Sequence, residues 1–121
     1  MMESILIIDD DLTLCRVLSE ELNEIGFDSF FVTDADSAFS ELSKRKVVDL
    51  ILLDLKMPGK DGFYVLNELR QRGYKIKVIV LTAYADVKSA IESARLGASD
   101  FISKPYDLDE LIITIRKVIQ S

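Results

Sequence analysis

The feature that most limits the fold is the run Val47 to Asp54, VVDLILLD, in which Leu50, Ile51, Leu52 and Leu53 are apolar without interruption and Leu55 follows at once. A strand with one wet face alternates apolar and polar residues. An unbroken run this short predicts a strand covered on both faces, as in a parallel sheet flanked by helices. The run ends on a carboxylate, Asp54, and Pro58 and Gly59 shape the loop that follows, so the strand delivers one acidic group to a loop.

The rest of the chain repeats the theme. Ile5 to Ile8 is a second apolar run, ending in Asp9-Asp10-Asp11 and opening into a helix on which Cys15, Leu18, Leu22 and Ile25 recur at helical spacing before Gly26. Phe27 to Val32 reads as a strand, and Thr33 or Asp34 caps a helix that buries Ala35, Ala38, Phe39 and Leu42. Phe63, Leu66, Leu69 and Arg70 mark a helix that stops at Gly73, and Lys77 to Thr82 is the fourth strand. Val87, Ala90, Ile91 and Ala94 form the apolar stripe of the next helix, which Gly97 closes. A short strand around Asp100 to Ser103 precedes a last helix opened by Asp107, with Leu108, Leu111, Ile112, Ile115 and Ile119 on its stripe. Strand and helix thus alternate five times, with connections short enough for right-handed crossovers onto one parallel sheet, a doubly wound α/β fold with helices on both faces.

Such sheets bind ligands at the carboxyl ends of their strands. Four of the expected strands end there on polar groups suited to phosphate chemistry: Asp9 and Asp10, Asp54, Thr82, and Lys104 just past the fifth. Three carboxylates at one sheet edge repel by about 4 kcal/mol per pair at ~4 Å and an effective dielectric near 20. One lysine cannot offset that, whereas a divalent, oxygen-seeking cation such as Mg²⁺ can, and it leaves water positions for a phosphate ligand. The chemistry expected of such a site is attack of Asp54 on phosphorus to give an acyl phosphate.

Composition narrows the surroundings. With 121 residues, 15 Lys and Arg against 21 Asp and Glu, and a net charge of −6, the chain is sized for one domain and ill suited to direct binding of nucleic acid or an anionic membrane. Its single cysteine, Cys15, cannot form an internal disulfide and fits a small core residue. No run reaches the roughly 18 apolar residues of a membrane span, and a cytoplasmic location is expected. Asp11 fits a helix cap better than a metal ligand, and Asp107, Asp109 and Glu110 suit the positive end of the last helix.

In this order and spacing, ILIIDDD, LLDLKMPGKDG, VIVLTAYA and GASDFISKPYDLDEL resemble the segments of the receiver domains of two-component and phosphorelay response regulators. The resemblance runs the full length and implies that residues 1–121 form a single receiver domain with a flavodoxin-like sheet of order 2-1-3-4-5. It further implies that Asp54 is the phosphorylated residue and that Asp9, Asp10, Asp54 and the backbone carbonyl of Lys56 hold Mg²⁺, with Mn²⁺ able to substitute. Thr82 and Lys104 would each bond a phosphoryl oxygen, the small Ala83 would leave access open, and Lys104-Pro105 would be a cis peptide. Thr82 and Phe101 would form the switch, Phe101 through packing because it lacks a hydroxyl. Lys56 and Tyr84 occupy the positions that govern phosphate lifetime; neither is an acid or amide that could orient water, so slow dephosphorylation is expected.

The partner implied is a sensor histidine kinase or a histidine phosphotransfer protein, docking near the apolar pair Leu14 and Val17 on the first helix. Ile113, about 140° from Leu108 around the last helix, falls opposite the core stripe; it is either a single exposed apolar residue or, as the resemblance implies for this helix, part of a contact surface. An output domain, a separate downstream protein or a phosphorylation-dependent homodimer all remain open. The competing reading is a Mg²⁺-dependent phosphatase resembling the haloacid dehalogenase superfamily, with Asp9 as nucleophile and Asp9 and Asp11 as its Asp-x-Asp pair. That reading leaves DLKMPGKDG unexplained. A flavodoxin-like nucleotide binder fits poorly, because the first turn is triply acidic rather than a glycine-rich phosphate cradle.

Overall fold

The computed structural model describes residues 2–44 and 47–121. Its elements are β1 (Ser4–Ile8), α1 (Leu12–Ile25), β2 (Asp28–Val32), α2 (Ala35–Lys44), β3 (Leu50–Leu53), α3 (Gly62–Gln71), β4 (Lys77–Thr82), α4 (Val87–Arg95), β5 (Asp100–Ser103) and α5 (Leu108–Gln120). The strands form one sheet of order β2-β1-β3-β4-β5, parallel throughout. This is the doubly wound α/β fold expected from the alternation of strands and helices.

The two-sided burial read from the apolar runs has a simple geometric content. Successive strand residues point to opposite faces. Leu6, Ile8, Ile51, Leu53, Val78 and Val80 pack on one side with Ala38, Phe39 and Leu42 of α2 and Val65, Leu66 and Leu69 of α3. Ile5, Ile7, Leu50, Leu52, Ile79 and Leu81 pack on the other with Cys15, Leu18 and Leu22 of α1 and Leu111, Ile115 and Val118 of α5. Each central strand is therefore apolar at every interior position, and polar side chains are confined to its ends.

Some boundaries differ from the sequence reading. β3 runs from Leu50 to Leu53, one residue short of Asp54; at its start the Asp49 N–H still donates to the Ser4 carbonyl at 2.9 Å, while the Asp49 carboxylate, at 2.7 Å, takes the Ser4 N–H in place of a backbone carbonyl. Phe27 is buried but lies just before β2. Asp34, not Thr33, starts α2, its Oδ1 accepting from the Ser37 N–H at 2.7 Å. Ile25 lies in line with the α1 stripe yet is exposed. A helix of 14 residues is about 21 Å long and a strand of five about 16 Å, so the last turn of α1 overhangs the sheet. Gly26, at φ 121°, then turns the chain back.

The largest correction concerns α4. Val87, Ile91 and Ala94 face solvent, with Val87 75% and Ile91 54% exposed, and the buried residue of this helix is Ser93, whose hydroxyl donates to the Ala90 carbonyl. The apolar period was helical, but its phase points away from the sheet. In α5, Val118 is buried while Ile119 is only half-buried. Among the described residues, no helix is long and apolar enough to cross a membrane.

Candidate functional site

Pairing of the central strands brings the acids together. Ile8 pairs with Leu53, so the residues that follow each, Asp9 and Asp54, leave the sheet side by side. The Asp54 N–H still donates to the Ile8 carbonyl at 3.0 Å and the Asp9 N–H to the Val32 carbonyl at 3.2 Å. Asp9 and Asp54 are buried and Asp10 is exposed, and the three offer carboxylate oxygens all within 4.8 Å of one another.

Lys104 enters from β5. Its backbone N–H donates to the Thr82 carbonyl at 2.9 Å, and the Lys104–Pro105 peptide is cis. Its ammonium donates to Asp9 Oδ2 at 2.7 Å and Asp54 Oδ2 at 3.3 Å. Burial raises the Asp9 pKa above the usual carboxylate value, and the hydrogen bond from Lys104 only partly offsets this. For Lys104, burial works against the ammonium, but its contacts with Asp9 and Asp54 outweigh it and the pKa is raised.

Thr82 is completely buried at the end of β4, its Oγ1 accepting from the Tyr84 N–H at 3.2 Å. Phe101 is half-buried against the α2 and α3 side of the sheet. Lys56 donates its backbone N–H to Asp54 Oδ1 at 3.3 Å, while its side chain turns outward, the ammonium 4.5 Å from the centre of the Tyr84 ring. Lys56 and Tyr84 border a cavity of about 290 Å³ completed by Leu55, Met57, Asp61, Phe63 and Ser89. Leu14, Ala83, Lys104, Pro105 and Tyr106 line another of about 370 Å³ on the α1 side. Val17 is about half exposed nearby on α1. Ile113 stands apart, 68% exposed on α5.

The acid that the structure leaves out of the cluster is Asp11. Its Oδ1 accepts from the Leu14 N–H at 3.1 Å as the N-cap of α1, so Asp9 and Asp11 do not form the paired acids that a haloacid-dehalogenase-like phosphatase would need. Cys15 is more than filler: its thiol donates to the Asp9 carbonyl at 3.3 Å, and burial, with the charges of Asp9 and Asp11, pushes its pKa up to about 12. A thiol held so far from ionisation is no nucleophile at neutral pH. Sequence reasoning passed over Tyr106, whose hydroxyl donates to Glu21 at 2.6 Å and ties the loop after Pro105 to α1. The two residues are far apart in the chain, and nothing in either local pattern joins them.

The donor set is oxygen only, and three carboxylates against one ammonium leave two negative charges over. It suits a hard divalent cation. Fold and site together define a doubly wound α/β domain with an acidic cluster, suited to a divalent cation, at its carboxyl edge. The chain belongs to the response regulator receiver domain family, whose sequence pattern matches residues 5–116, and it is a signalling domain of that kind.

Three relatives give scale. Sporulation initiation phosphotransferase F of Bacillus subtilis is 35% identical over 119 residues, covering 98% of this chain and 95% of that protein. A probable transcriptional regulator of Porphyridium aerugineum, ycf27, is 41% identical over 118 residues. The chain spans 48% of that regulator and 25% of the regulatory protein AtoC of Escherichia coli. Among solved structures, the receiver domain of the Francisella response regulator 1452 superposes with a TM-score of 0.90 at 29% identity, covering 98% of this chain and 97% of that one.

Proposed function

We propose that Asp54 accepts a phosphoryl group from a histidine of a sensor kinase or histidine phosphotransfer protein. Asp9, Asp10, Asp54 and the Lys56 carbonyl hold Mg²⁺, with Mn²⁺ as a substitute. The Asp54 carboxylate forms a P–O bond as the P–N bond of a donor imidazole protonated on its other ring nitrogen breaks, leaving an acyl phosphate on the chain and a neutral imidazole on the donor. Bound there, the cation would supply positive charge against that on the transferring oxygens. Lys104 bonds one phosphoryl oxygen as its ammonium leaves Asp54, and Thr82 bonds another, with Phe101 repacking behind it.

The observation that carries this reading is the position of Asp54: buried, oriented by the Lys56 N–H, and sharing the Lys104 ammonium with Asp9. The test is phosphorylation by a small acyl-phosphate donor with the mass increase mapped by peptide. The increase is expected on the Asp54 peptide alone, only with Mg²⁺ present, and its decay is expected to take minutes or longer because Lys56 and Tyr84 offer no base for water. Phosphate on another residue counts against the assignment, and decay within seconds counts against the lifetime role.

For docking, the apolar cavity beside Lys104 supports Leu14 and Val17 as the donor's seat. Val17→Lys is expected to slow transfer from the cognate kinase at least about tenfold, the effect of losing ~1.4 kcal/mol at an interface, while phosphorylation by the small donor stays unchanged. Equal loss of both rejects the docking role. The exposed Tyr84, Val87, Ile91 and Ile113 supply apolar area for an output domain, a downstream protein or a second copy. A cytoplasmic location accords with all of these partners.

A further inference from the structure

α3 begins on a residue with no side chain, and the reason is a close approach rather than a backbone angle. A Cβ on Gly62 would stand 2.4 Å from the carbonyl oxygen of Asp54 and 2.6 Å from the Cα of Leu55. Both are backbone atoms, and β3 is hydrogen-bonded to β1 and β4 on its two sides, so the strand end cannot give way as a flexible side chain would. Gly62 is absent from the glycines at positive φ, so its conformation alone does not call for glycine.

The contact is also made, not merely tolerated. The Gly62 N–H donates to the Leu55 carbonyl at 3.0 Å, and Asp61 caps α3 by accepting from the Tyr64 N–H at 2.9 Å. Residues 55–61 are thereby closed into a loop pressed against Asp54, and within it the Lys56 N–H reaches Asp54 Oδ1. We propose that Gly62 is a positioning residue for the acidic site: the missing Cβ sets the distance between α3 and the end of β3. That distance holds the Lys56 backbone against the Asp54 carboxylate. This inference rests on the assignment of Asp54 and Lys56 to the cation site made above.

Two readings of Gly62 predict opposite results for Gly62→Ala. Alanine favours a helix over glycine. That gain cannot survive a Cβ placed 2.4 Å from backbone, so if Gly62 serves only the packing of α3, the variant is less stable than the parent but, once folded, binds Mg²⁺ with unchanged affinity. If Gly62 positions the site, the folded variant binds Mg²⁺ about ten- to a hundredfold more weakly, the range typical when support behind a metal ligand is lost. The measurement is calorimetric titration of each protein with Mg²⁺ at a temperature where far-ultraviolet circular dichroism shows it folded. Weakened binding by the folded variant supports the proposal, and parental affinity overturns it.

Should Gly62→Ala not fold, hydrogen exchange on the parent protein decides: saturating Mg²⁺ is expected to slow exchange of the Gly62 amide, and an unchanged rate overturns the proposal. A parent protein that binds no Mg²⁺ overturns the cation-site assignment itself. That outcome is seen before any variant is made.

Discussion

Replacing Asp54 with asparagine is expected to abolish phosphoryl incorporation and, without metal, to raise stability by about 1–2 kcal/mol. Asparagine keeps an oxygen for the Lys56 N–H but removes one of two buried carboxylates that compete for a single ammonium, at 2.7 Å from Asp9 and 3.3 Å from Asp54. Bare repulsion at this separation is about 4 kcal/mol at an effective dielectric near 20, and the lost pairing of Lys104 with Asp54 offsets part of the relief. Urea unfolding with and without Mg²⁺ checks both halves: the parent gains stability on adding the cation, and Asp54→Asn starts higher and gains much less. A less stable metal-free variant would mean that the ion pair outweighs the repulsion.

The tension in that cluster was legible in the sequence because of what surrounds it. In β1 and β3 every position is buried, so a polar residue has nowhere to go but the strand end, and the carboxyl ends of parallel strands share one edge. Asp9, Asp54, Thr82 and Lys104 could therefore be placed on that edge. Their mutual contacts could not. Lys104 meets Asp9 across 95 positions of chain, through a lateral order of strands that no local period encodes.

Helix faces were less secure. The α2 stripe of Ala35, Ala38, Phe39 and Leu42 is buried throughout, because charged and polar residues fill the rest of that helix. In α4 the same kind of period failed, since Ser93 and half-buried Ala90 are small enough to sit against the sheet and leave Val87 and Ile91 outside. Hydrophobic spacing shows that a helix has two faces; which one the sheet accepts depends on the room there. The Gly62 contact was hidden for a related reason. A glycine beside an aspartate reads as turn chemistry, and only the approach of α3 to the Asp54 carbonyl shows that a side chain is excluded.

Lys104→Ala is expected to have the opposite effect to Asp54→Asn, lowering the stability of the metal-free protein by about 3 kcal/mol near neutral pH, the cost of stranding buried charges. The side chains of Asp9 and Asp54 are only 3% and 7% exposed and Lys104 is 16% exposed, so water screens this pairing weakly. The pH dependence follows from Asp9. Burial already raises its pKa and Lys104 holds it down, so removing the ammonium raises it further. A carboxyl whose folded pKa lies above its unfolded value costs stability at pH above the folded pKa, and the cost vanishes as the pH falls below the unfolded one. The deficit of Lys104→Ala relative to the parent should therefore shrink on acidification from about pH 7.5 to about pH 5, with the variant taking up a proton that the parent does not. Mg²⁺ at neutral pH should restore much of the loss by standing in for the missing positive charge, even though phosphoryl transfer stays impaired for want of the Lys104 contact. A deficit that is the same at both pH values and untouched by Mg²⁺ would show that Lys104 contributes through packing rather than through its charge.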